Sequence, residues 1–149
     1  MADLFTIGYE RASQADVLAA LREAGVSTLI DVRVLPLSRR AGFSKRQLAA
    51  SVEEAGMTYV HLKALGTPKE GRVANKQRDW PRFWQIVDRQ LATPEAQFDL
   101  ARAAQIAGAA PACLLCVEAD HRICHRARVA ELLERRVGVT THHLRPLGP

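Results

Sequence analysis

No stretch of this chain approaches the ~18 consecutive apolar residues of a membrane span, and no basic-then-apolar leader opens it. No membrane contact is therefore expected, and the cytoplasm is the expected compartment. Cysteine is scarce, with three in 149 residues. An odd handful in a chain without a secretory leader excludes a disulfide framework and reads as thiols, metal ligands or core residues. No low-complexity tract argues for disorder, and no internal repeat is visible.

What is present is the material of a single domain, residues 1–149, with 48% hydrophobic and 25% charged residues. A chain of this size buries roughly 68–70% of the surface it exposes when unfolded. The formal charge of +5 is unevenly placed. Between Arg33 and Arg82, 11 Lys/Arg face 4 Asp/Glu, a net of +7, while the remainder carries 10 against 12, a net of −2. A basic middle with acidic flanks points to an anionic partner, although a solvated basic face gives the same count.

Periodicity predicts alternating strands and helices. "LFTIGY" (4–9) reads as a first strand and "SQADVLAALREAG" (13–25) as a helix capped by Ser13. "VSTLIDVRVLPL" (26–37) reads as a second strand ended by Pro36, and "SKRQLAASVEEAG" (44–56) as a helix whose Ser44 and Gln47 form a capping box. "MTYVHL" (57–62) is a third strand. Residues 64–78 lack a period and read as a long functional loop. Helices follow at 80–92 and 94–108, the latter capped by Thr93. "ACLLCV" (112–117) is an apolar fourth strand of the kind buried on both faces, then come a helix over 123–138 and a last edge strand at 140–144. The fold class expected is α/β: one domain, a mostly parallel open sheet of about five strands, helices on both faces.

In such sheets ligands bind beyond the carboxyl ends of the strands. Those ends deliver Tyr9 and Glu10, Asp31 and Arg33, His61, and Cys116 and Glu118 to one edge. The cysteines occur around this edge. Cys113-x-x-Cys116 resembles half a zinc motif, but alternation along a strand sends the two side chains to opposite faces, so Cys113 reads as core. A metal site from Cys116, Glu118, Cys124 and His125 is geometrically freer but lacks a second spaced pair, and no metal is assigned. Cys116-x5-Arg122 has the spacing of a loop holding an anion over a thiolate, yet "VEADH" has no glycine and carries two acids. A persulfide-forming thiol of the rhodanese-like sulfurtransferase kind at Cys116 meets the same objection.

Cys124, His125 and Arg126 fall at the start of the last long helix, where a thiol is acidified and an imidazole kept neutral. If the second and fourth strands flank the first, Asp31 and Glu118 face each other as an acid–base pair; otherwise each pairs with Arg33 or Arg126. "PLSRRAGFSKRQL" sets Ser38, Arg39, Arg40 and Gly42 before a capped helix start, a candidate anion site, with Phe43 and Tyr9 as faces on which a base could stack.

"TIGYE", "LIDVR", "PLSRRAGFSK", "YVHLKALG" and "LLCVEADHRICHR" resemble, in order, the signature blocks of the family of domain of unknown function 488 (DUF488). The resemblance runs from about Phe5 to Leu133. It implies a compact bacterial or archaeal α/β protein and no assigned activity. Its polar signature falls on Tyr9, Asp31, Arg33, Ser38, Arg39, Gly42, Phe43, Gly66, Cys116, Glu118, Cys124, His125 and Arg126. Thr67 departs from it, standing where many members have a second glycine.

The leading expectation is an enzyme, or a relative of one, acting on a phosphate-bearing partner, a nucleotide or nucleic acid. Arg33, Arg39 and Arg126 would bind the anion, with Tyr9, Ser38, Gly42 and Phe43 around it. Asp31, Glu118 and His125 would supply acid–base chemistry, and Cys116 and Cys124 would be nucleophile, metal ligand or support. The alternatives are a non-catalytic nucleic-acid-binding module, suggested by Phe43, Trp80 and Trp84 within the basic segment, and sulfur transfer through Cys116.

Overall fold

The apolar run at residues 112–116 becomes strand β4 (Ala112–Cys116), buried at every position and paired on both sides. The computed structural model describes residues 2–147. In chain order the other elements are β1 (Asp3–Gly8), α1 (Gln14–Glu23), β2 (Thr28–Asp31), α2 (Lys45–Glu54), β3 (Thr58–His61), α3 (Lys69–Lys76), α4 (Trp80–Leu91), α5 (Pro94–Ala109), α6 (Arg126–Val137) and β5 (Thr140–His143). Single 3₁₀ turns lie at Lys63–Leu65 and His121–Ile123. The five strands are all parallel in the order β3-β2-β4-β1-β5. This is the α/β fold the alternation predicted.

Alternation along the central strand divides the core. Leu114 and Cys116 join the cluster under α3 to α6, with Phe83, Leu100, Val129 and Leu133. Cys113 and Leu115 join the cluster under α1 and α2, with Val17, Leu21, Leu48 and Val52. Cys113 is therefore a packing residue, on the opposite side of the sheet from Cys116. The caps at Ser13 and Thr93 form as expected, accepting from Asp16 N and Ala96 N.

Several expectations are corrected. Residues 64–78 are not a loop, because a 3₁₀ turn and α3 occupy most of them. α3 buries only Gly71 and Ala74. A Cβ on Gly71 would meet Thr67 Cγ2 at 2.4 Å and Ile86 Cγ2 at 3.1 Å. The helix packs through its smallest residues, so no apolar stripe marks it in the sequence. β2 stops at Asp31, well before Pro36, because the Asp31 carboxylate turns back to accept from Arg33 N at 3.1 Å. Ser44 makes no cap bond; its hydroxyl is held against the backbone of Ser38, and Gln47 instead accepts from Gly42 N. β2 does not flank β1, since β4 lies between them.

The order of strands explains where a crevice forms. β4 is followed by α6 on one face, whereas its neighbours β1 and β2 are followed by α1 and α2 on the other. Adjacent strands whose chains leave to opposite faces part at their carboxyl ends. Here that condition holds on both sides of Cys116.

Gly8, at the end of β1, lies directly under the segment that leaves β4. A Cβ there would stand 1.8 Å from the carbonyl oxygen of Glu118. Gly8→Ala is expected to cost about 3 kcal/mol, the upper end for overpacking, read as a lower urea midpoint with unchanged slope. A midpoint like that of the unsubstituted protein would contradict this contact.

Candidate functional site

A cavity of about 420 Å³ opens beside the end of β4. Cys116 and His125 line it, with Glu10, Val117 and Glu118 from the segments leaving β1 and β4. Val34, Leu35 and Leu37 form an apolar side after β2, where Leu35 and Leu37 are 55% and 72% exposed. Thr67, Arg72, Asn75 and Lys76, from α3 and the residue pair before it, complete the wall with Phe83 of α4. Arg72 and Lys76 stand one helical turn apart on the same side of α3. Thr67 is 5% exposed, and its hydroxyl has no hydrogen-bond partner among the described residues.

Beside this cavity the two cysteines and the histidine converge. Cys116 ends β4, Cys124 closes the 3₁₀ turn, and His125 occupies the N-cap position of α6. The Nδ1 atom of His125 lies 3.6 Å from Cys116 Sγ and 3.8 Å from Cys124 Sγ. His125 Nε2 is 2.9 Å from the carbonyl oxygen of Val32. A carbonyl only accepts, so Nε2 carries the proton, and the Cys116 sulfur stands beside the ring, 3.9 Å from Nε2 as well.

The titration behaviour of this group is unequal. The hydrogen bond to Cys124 is the main influence raising the Cys116 thiol well above its ordinary value, and burial adds to it. For Cys124 burial acts strongly upward, yet the hydrogen bond from Cys116 and the neighbouring His125 and Arg126 pull its thiol well below the ordinary value. The two thiols are thus pushed in opposite directions within one buried pair. Burial pushes the Glu118 carboxyl up to about 7, with Cys124 acting in the same direction and His125 and Arg126 opposing.

Arg126 is fully buried and faces backbone: Nη1 donates to the Glu118 carbonyl at 2.5 Å and Nη2 to that of Ala119 at 3.3 Å. It braces the segment after β4. Arg33 is also buried, donating from Nε and Nη2 to the two Asp31 oxygens at 2.8 and 2.7 Å. Its Nη1 donates to Tyr9 Oη and the Phe43 carbonyl. Burial alone would lower the Arg33 pKa, but the bond to Asp31 and its charge outweigh that and raise it. Tyr59 also donates to Asp31, and burial together with that bond raises the Tyr59 phenol.

The sequence-derived candidates thus separate into two groups. Cys116, Glu118, Cys124 and His125 come together on the α6 side of the sheet, with Arg126 behind them. Asp31, Arg33, Tyr9 and Phe43 form a buried network towards α1 and α2, from which only Arg33 reaches the cavity lining. Asp31 and Glu118 do not face each other: Asp31 is opposite Leu115 in the register, on the other side of the sheet from Cys116. Phe43 and Tyr9 are 0% and 3% exposed and stack on one another at 4.2 Å, so neither offers a free face. Ser38 and Gly42 are engaged in loop hydrogen bonds, and exposed Arg39 stands outside the cavity.

A family model described as "Domain of unknown function DUF488" matches residues 13–133. The chain belongs to the DUF488 family. The match encloses every cavity residue named above except Glu10, so the pocket lies within the region that defines the DUF488 domain. No curated protein and no solved structure matches the chain.

Thr67, Arg72, Asn75 and Lys76 were not singled out as site residues from the sequence. The available signal was two basic residues four apart within a segment read as a loop. Asp31→Asn is expected to destabilise the protein by about 3–5 kcal/mol, because the Arg33 charge stays buried without its counter-charge. Chemical denaturation measures it, and a loss below about 1 kcal/mol would contradict a tightly coupled pair.

Proposed function

We propose that the DUF488 domain described here is an enzyme-like ligand-binding domain whose pocket takes a small phosphate-bearing molecule of nucleotide size. The observation that carries this reading is the division of the pocket wall. Its lining divides by chemistry into an apolar set (Val34, Leu35, Leu37), the cationic pair Arg72 and Lys76, and the reactive side chains Cys116, Glu118 and His125. A ligand with an apolar ring at one end and an anion at the other matches that arrangement. The volume falls in the range of small-molecule sites. In this reading Glu118 handles protons at the reacting end, and the anion is held by α3 instead of by Arg39 or Arg126.

The two other readings draw less support. A nucleic-acid-binding face needs free aromatic rings, but Phe43 lies beneath Tyr9, Trp80 packs edge-on against Phe83, and Arg128 sits over Trp84 at 4.8 Å. A sulfur-transfer or phosphate loop needs free amides after Cys116. Here Ala119 N donates to Glu10 and Arg122 N to Asp120, and the Arg122 side chain is paired with Asp120 at the surface.

Calorimetric titration of the folded protein with nucleoside mono- and diphosphates and with inorganic phosphate tests the reading. Arg72→Ala and Lys76→Ala should each weaken binding about tenfold or more, the loss of one charge-assisted contact, while Arg39→Ala should leave it unchanged. Equal affinity in all three variants, or no binding of any phosphate compound, rejects the reading.

A further inference from the structure

We propose that Cys116, Cys124 and His125 form a three-ligand site for zinc, with the fourth coordination position opening onto the cavity beside Glu118. This goes beyond the ligand-binding reading and does not rest on it. The three donor atoms lie within 4.8 Å of one another, and all three residues are buried. With Zn–S near 2.3 Å and Zn–N near 2.0–2.1 Å, a tetrahedral site has S···N edges of about 3.6 Å. The Cys116 and Cys124 sulfurs stand 3.6 and 3.8 Å from the same nitrogen, His125 Nδ1. The apex therefore has zinc dimensions before any ion is considered.

The orientation of the imidazole is the second, independent observation. Its Nε2–H is tied to the Val32 carbonyl at 2.9 Å, which leaves Nδ1 as the nitrogen free to ligate; the Cys116 sulfur stands beside the ring, 3.6 Å from Nδ1 and 3.9 Å from Nε2, so the imidazole must turn to aim Nδ1 at an ion shared with it. Metal-binding histidines are oriented in this way, through a backbone carbonyl on the far nitrogen. The anchors are also stiff. Cys116 is held in the central strand and His125 sits at the N-cap position of α6, so the site is built on regular elements.

Charge and ligand type favour the same ion. Two thiolates and an imidazole suit a borderline-soft divalent cation and give little to magnesium or calcium, which require oxygen ligands. Two thiolates neutralise the ion, and the remaining nearby charges, Glu118 and Arg126, are opposite in sign. Cys116 and His125 line the cavity but Cys124 does not, so the cluster is open on one side only. Structural zinc sites are closed by four protein ligands, whereas three ligands with one open position are the arrangement of catalytic sites. Cys113 provides an internal contrast. It faces the other core, and its thiol donates to the Leu114 carbonyl at 3.7 Å.

The test uses the full chain, reduced, stripped with chelator and titrated anaerobically with cobalt(II), then zinc(II). The expected result is one equivalent of cobalt giving thiolate-to-metal charge-transfer bands and intense tetrahedral d–d bands, both abolished by one equivalent of zinc. Cys113→Ala should keep these spectra. Cys124→Ser and Cys116→Ser should weaken zinc binding by more than about a hundredfold, beyond the cost of losing an outer partner. The proposal is overturned if the folded, unsubstituted protein gives only weak octahedral cobalt bands or none. It is equally overturned if Cys124→Ser keeps the full spectrum.

Discussion

The carboxyl edge of this sheet takes its form from the position of one strand. β4 is buried along its whole length and lies between two strands, β1 and β2, whose chains turn to the opposite face. Because the polypeptide diverges on both sides of Cys116, no crossover covers that point, and the cavity is the space left open. The residues that follow the neighbouring strands become its walls: Glu10 after β1, Val34 to Leu37 after β2. The close passage of Gly8 beneath the Glu118 carbonyl brings the segment after β4 tight against β1.

Two buried arginines hold this edge in shape. Arg126 donates to the carbonyls of Glu118 and Ala119, so the turn after β4 is braced by a guanidinium. Arg33 ties Asp31, Tyr9 and the Phe43 carbonyl together and in doing so fixes the loop between β2 and α2. Two histidines secure the intervening backbone: His125 donates to Val32 O and His61 to Arg33 O. A buried cation without these acceptors would be strongly disfavoured, which makes each arginine a constraint on the backbone around it. The cations that line the cavity from α3 are Arg72, whose Nη1 donates to the Thr67 carbonyl, and Lys76.

Much of this was legible from local pattern. The strand runs, the caps at Ser13 and Thr93, the parallel α/β class and the gathering of Cys116, Glu118, Cys124 and His125 all follow from residue types and short spacings. The opposite orientation of Cys113 and Cys116 follows from a period of two. α3 was not legible, because Gly71 and Ala74 do its packing and leave no hydrophobic stripe. The Ser44 cap failed because Ser38 competes for its hydroxyl, a contact made only once the loop is folded.

The sequence by itself determined the class of fold, the core faces of its strands and the set of reactive groups, since these depend on periodicity and on neighbours close in the chain. Tertiary structure alone decided which polar residues share a space. Whether an arginine is a ligand contact or a buried brace depends on which carbonyls and carboxylates other segments bring to it. Whether two acids face each other depends on strand order. Here that order placed β4 between β2 and β1, set Asp31 and Glu118 on opposite sides of the sheet, and gave the cationic wall to a helix that reads as a loop.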